Sequence, residues 1–116
     1  MTDLTGAPGA VPEGHRSPSI RADEGPDGLV VTLAGEIDAS LRPVMDEVVE
    51  SVARSGAHGV LVDAGALSYI DSVGVSFLLR LREHVGGGPV RVRRAPAALL
   101  HVLDIIGATN RFALEP

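Results

Sequence analysis

The sequence predicts an α/β fold, a mixed β-sheet with helices packed on it in the order β-β-α-β-α-β-α-β. Three observations carry this reading. Short valine-rich runs bounded by glycine or proline alternate with stripes of apolar residues at helical spacing, the connections between them are short, and the chain opens on two strand-like runs separated by turn residues. Alternating strands and helices build parallel neighbours, whereas two strands joined by a tight turn pair antiparallel, so the sheet is mixed. At 116 residues and 12.0 kDa the chain has room for one domain. Residues 1–17, rich in glycine and proline and without apolar periodicity, are expected to be a disordered tail, and 18–116 the folded unit.

Each element has its own signal. Ser19–Asp23 is a short strand candidate, Gly25-Pro26-Asp27-Gly28 supplies a turn, and Leu29–Leu33 resumes as the second strand of a hairpin. Leu41, Val44, Met45, Val48, Val49 and Val52 then form one stripe of an amphipathic helix, with Pro43 in its first turn, Asp38 or Ser40 as its cap and Gly56 as its end. Gly59–Ala64 is too short for a helix and rich in valine, hence a buried central strand. A second helix opens at Asp71 or Ser72, places Gly74, Phe77, Leu78, Leu81 and Val85 on one face and stops at Gly86-Gly87-Gly88. Pro89–Arg93 is a strand, Pro96–Ile106 a third helix with Leu99, Val102, Leu103 and Ile106 on one face and Gly107 as its stop, and Arg111–Leu114 a last short strand.

Composition excludes several classes of function. Absence of cysteine removes disulfides, thiolate catalysis and cysteine zinc sites, and it fits a reducing compartment, so a cytoplasmic protein is expected. A net charge of −5 is the wrong sign for holding a phosphate backbone, and three aromatic residues are too few for stacking platforms, so no nucleic-acid partner is expected. Neither a secretory signal nor a membrane span is visible. His15, His58, His84 and His101 are scattered without ligand spacing, and phosphate-loop, dinucleotide and nucleophile-elbow motifs are missing; neither a metal, a cofactor nor an enzymatic activity is expected. The few aromatics also favour a monomer. Arg91, Arg93 and Arg94 read as protection of an edge strand.

The informative segment runs from Asp63 at the end of the buried strand, through a loop, into the helix that starts at Asp71-Ser72. A serine there can cap the helix or accept a phosphoryl group, and Gly74 lets another backbone or an enzyme's active site come close. Ser76 falls one turn into the helix and Ser68 in the loop, each a further hydroxyl near the site. Glu36 and Asp38 belong to a turn at one end of the sheet, where they either contact a partner or serve as solvated turn and cap.

Gly35-Glu36-Ile37-Asp38, Tyr69-Ile70-Asp71-Ser72-Val73-Gly74-Val75 and Leu103-Asp104-Ile105-Ile106-Gly107, in this order, closely resemble three elements of the STAS-domain anti-sigma factor antagonists, a match that covers Pro18 to Leu114. The resemblance implies the STAS fold and a switch rather than an enzyme. It implies that an anti-sigma factor serine kinase binds the unphosphorylated protein and releases a sigma factor, that this kinase phosphorylates Ser72, and that a PP2C-type phosphatase resets the switch. It implies a partner-binding face of Glu36, Asp38, Tyr69, Asp71, Ser72, Val73, Gly74, Val75 and Ser76. Val73 stands where many members of the family carry a second hydroxyl residue. The competing reading keeps the fold and discards the switch, leaving a STAS scaffold in a larger signalling assembly.

Overall fold

The computed structural model describes residues 17–26 and 28–116, so the expected tail up to Arg16, and Asp27 in the hairpin turn, lie outside the described residues. Strands β1 (Ser19–Gly25) and β2 (Gly28–Ile37) form the opening hairpin. They are followed by α1 (Arg42–Ser55), β3 (Val60–Ile70), α2 (Ser72–His84), β4 (Val90–Arg93), α3 (Ala97–Ile105) and β5 (Ala113–Glu115). The element order is the one the sequence predicts. The sheet reads β1-β2-β3-β4-β5 from edge to edge, antiparallel between β1 and β2 and parallel at every later pairing.

Spatial order thus follows chain order. Crossovers between parallel strands share one hand, so three successive crossovers in one direction place all three helices on the same face of the sheet. Burial agrees with this. Val31, Leu33, Val60, Val62, Val90 and Val92 are buried, while the alternate residues Val30, Thr32, Leu61, Asp63, Arg91 and Arg93 stay partly exposed on the open face. Met45, Val48, Val49 and Val52 of α1, Phe77, Leu78 and Leu81 of α2, and Leu99 and Leu103 of α3 complete the core, and no polar or charged residue is buried among the described residues.

The sequence pattern understates two strands. β2 continues to Ile37, and β3 continues through the expected loop to Ile70, so Ser68 sits in a strand and not in a loop. The cause is a double slip between them. From Thr32↔Asp63 to Ala34↔Ala66, β2 advances two residues and β3 three; from Gly35↔Leu67 to Glu36↔Tyr69, β2 advances one and β3 two. Each extra residue in β3 is a bulge that breaks the period of two on which recognition of a strand depends. A second correction concerns the arginines: β4 lies between β3 and β5, so Arg91 and Arg93 do not guard an edge. Arg93 and Arg94 bind Asp63, and Arg91 Nε faces Glu115 at 3.7 Å.

Ile106 also departs from expectation. It caps α3 and is 49% exposed, outside the stripe of Leu99 and Leu103 that reaches the core. The helix ends there because Gly107 follows in the left-handed region.

Candidate functional site

The site lies where the parallel strands end and the helices α1 and α2 begin. Ile37 and Ile70, the last residues of β2 and β3, are paired and buried, and the ladder extends one step further as Asp71 N–H donates to the Ile37 carbonyl at 3.2 Å. That bond fixes the residue from which α2 starts. Asp71 has extended backbone angles, its Oδ1 accepts the Gly74 N–H at 3.0 Å, and its carbonyl accepts the Val75 N–H at 3.0 Å, which makes it the N-cap. Of the two caps the sequence allowed, the aspartate holds the position.

Ser72 is therefore the first residue of the helix, with an exposed side chain that is not needed as the cap. Its own N–H and that of Val73 belong to the first turn, where a helix supplies no acceptor. Any negative charge placed on the Ser72 hydroxyl meets these donors and the positive end of the helix dipole.

Around it the expected residues separate into two groups. Tyr69 is 50% exposed beside its cross-strand neighbour Glu36, and Glu36, Ser68 and Ser76 are exposed as well, with Asp38, Asp71 and Val73 partly so. The second bulge in β3 is what brings Ser68 and Tyr69 both to the surface before Ile70 turns inward. Gly74 and Val75, by contrast, are buried. Val75 is 2% exposed and belongs to the core. A Cβ on Gly74 would come within 2.5 Å of Ile70 Cγ1 and 3.2 Å of Ile37 Cγ2, so the missing side chain lets α2 settle onto the strand ends. The side of Gly74 on which a Cβ would stand thus faces inward, and neither residue presents an exposed side chain.

Asp38 caps a single 3-10 turn, Ala39–Leu41, which leads into α1; the helix itself begins after Leu41 without a side-chain cap. Its Oδ1 accepts the Ser40 hydroxyl at 2.6 Å and the Ser40 N–H at 3.0 Å. These two bonds, the hydroxyl's first, hold the Asp38 carboxyl below its ordinary value. Glu36, Asp38 and Asp71 thus give the strand ends an acidic character.

Beside them a crevice of about 230 Å³ opens between α1 and α2, lined by Arg42, Met45, Asp46, Val73, Ser76, Phe77 and Arg80. Arg80 pairs with Asp46 at 2.9 Å, whereas Arg42 has no ion pair among the described residues. Sequence reasoning missed Arg42, although a cation at a helix start, where the dipole disfavours it, is a legible signal. Among the described residues no group of His, Cys, Asp and Glu could hold a metal ion, and no helix is long and apolar enough to cross a membrane.

The fold recurs among solved structures. An anti-sigma factor antagonist from Mycobacterium paratuberculosis superposes with a TM-score of 0.75 at 24% identity, over 86% of this chain and 86% of its own. SpoIIAA, the Bacillus cell fate determinant, superposes in its unphosphorylated form with a TM-score of 0.69, at 15% identity over 84% of this chain and 89% of its own. Its phosphorylated form superposes with a TM-score of 0.64, at 15% identity over 84% and 92%. At such identities these are likenesses of fold. No curated protein matches the chain. The family model described as "Mlab, STAS domain" matches residues 20–115, and the chain belongs to the STAS-domain family.

Proposed function

We propose that this protein is an anti-sigma factor antagonist that works as a phosphorylation switch. Unphosphorylated, it binds an anti-sigma factor serine kinase through Glu36, Asp38, Tyr69, Asp71, Ser72, Val73 and Ser76, which releases a sigma factor; the kinase phosphorylates Ser72 and ends the complex; a PP2C-type phosphatase restores it. The STAS domain, residues 18–116, acts in the cytoplasm as a binding module without catalysis of its own.

The observation that carries the proposal is the exposed Ser72 side chain at the first position of α2, beside an aspartate already committed as the cap. A phosphoryl group adds roughly −1.5 to −2 charges. The first-turn N–H groups accommodate that charge in the free protein, so the fold persists. A docked partner must instead desolvate it among Glu36, Asp38 and Asp71, and the complex weakens. The named likenesses support this reading: one is an anti-sigma factor antagonist, and another keeps the fold in unphosphorylated and phosphorylated forms.

The test is intact-mass and peptide mass spectrometry after incubation with ATP and the anti-sigma kinases of the source genome, with the S72A variant alongside. One phosphate mapped to Ser72 is expected. Its absence with every kinase, when each phosphorylates a control substrate, overturns the switch and leaves the non-switching scaffold.

A further inference from the structure

Asp63 lies on the open face of the sheet, where β3 first slips against β2. Its side chain is only 13% exposed and is held by three residues. Arg93 Nη2 donates to Oδ2 at 2.9 Å, Arg94 Nη2 donates to Oδ1 and Oδ2 at 3.0 and 2.9 Å, and the Gly65 N–H donates to Oδ1 at 3.0 Å. Gly65 belongs to the bulge itself, so the carboxylate closes the bulge from within.

Arg94 reaches Asp63 under strain. It has φ 58°, the one positive φ at a non-glycine among the described residues. Its guanidinium lies against Gly65 so closely that a Cβ there would stand 2.7 Å from both Nε and Cζ. Its backbone N–H donates to the Glu115 carbonyl at 3.2 Å, which ties the clamp to β5. The ladder already pairs β3 with β4 from Val60 to Asp63, so this apparatus is more than the joining of two strands requires.

We propose that Asp63, gripped by Arg93 and Arg94, is a positioning residue for the Ser72 face. It locks the bulge at Gly65 and so fixes the register in which Tyr69 meets Glu36, Ile70 meets Ile37 and α2 begins. A slip of one residue beyond the bulge turns every later side chain of β3 to the opposite face. Tyr69 would turn inward, Ile70 outward, and Gly74 would lose its seat. The functional part of this inference rests on Ser72 being the switch; the register lock does not.

Tyr69 is the single tyrosine of a chain without tryptophan, so its fluorescence reports on the strand beyond the bulge. The experiment compares wild type with D63N and R94Q by acrylamide quenching of Tyr69, amide exchange over 66–71 and the rate of Ser72 phosphorylation per folded molecule. Far-UV circular dichroism monitors folding. D63N is expected to change the quenching constant about twofold and to speed exchange over 66–71 by about tenfold, with β1 and the first half of β2 unchanged and phosphorylation slowed. R94Q, which leaves Arg93 on Asp63, is expected to move the same way by less, and it decides the matter if D63N does not fold. Quenching and local exchange equal to wild type beside a lowered thermal midpoint would overturn the proposal and reduce the cluster to a stabilising ion pair. If the Tyr69 readouts move while even wild type accepts no phosphate, the lock stands and the switch falls.

Discussion

Ser72 is available because Asp71 is not. A capping carboxylate that accepts the Gly74 N–H leaves the adjacent hydroxyl with no structural duty, so the two residues separate under mutation. S72A should leave stability within about 0.5 kcal/mol of wild type, whereas D71A should cost about 1 kcal/mol, both read from urea denaturation. On the proposed switch, S72E should fold normally yet bind an anti-sigma kinase about tenfold more weakly in calorimetry, a difference of roughly 1.4 kcal/mol; equal affinity would remove the electrostatic account of the switch. Gly74 calls for the opposite measurement. Its absent side chain is filled by Ile70 and Ile37, so G74A should destabilise the fold by about 1–3 kcal/mol in the same denaturation series. The sequence left Gly74 in two roles, on the buried stripe with Phe77 and Leu78 and open to an incoming partner. Only the position of Ile70 decides between them, and that position depends on a strand whose second half the pattern concealed.

Helices were legible because their signals are local. The stripe of α1, Pro43 in its first turn and Gly56 at its end can all be read within fifteen residues, and so can Asp71 at the start of α2. β3 was legible only to Ala64 because the bulges beyond it interrupt the alternation that identifies a strand, although a glycine inside a strand is itself a mark of a bulge. The partner of that bulge, Arg94, lies some thirty positions away and has no local signature. The clamp carries a pH signature of its own. Burial opposes ionisation of Asp63, but the Gly65 N–H and the guanidiniums of Arg93 and Arg94 outweigh it, and the carboxyl stays below its ordinary value. A carboxyl lowered by folding stabilises the fold above its unfolded value, near 3.8, and loses that contribution as the pH falls through the folded one. The difference in thermal midpoint between wild type and D63N should therefore be largest near neutral pH and shrink as the pH drops below about 4. A difference constant from pH 7 to pH 3 would show that the charge of Asp63 contributes nothing.

Across the whole molecule, a charge of −5 is unevenly spread. Glu36, Asp38 and Asp71 crowd the strand ends, and Arg42 of α1 lines the neighbouring crevice opposite Val73 and Ser76 of α2. A partner matched to this face presents cations to the strand ends and a carboxylate to the crevice. On the proposed function, R42E should then weaken kinase binding mainly through slower association, and added salt should narrow the gap between variant and wild type in stopped-flow traces. The order of the strands has a further consequence, for synthesis. Because each strand is laid beside the one before it, a chain leaving the ribosome can assemble the sheet from the hairpin outward, and Ser72 emerges well before β4 exists. Arg93 and Arg94 follow some twenty residues after Ser72, and with them the lock on β3, so the Ser72 face is finished only once β4 and its exit have docked. An unfinished chain carries Ser72 but not yet the surface that surrounds it.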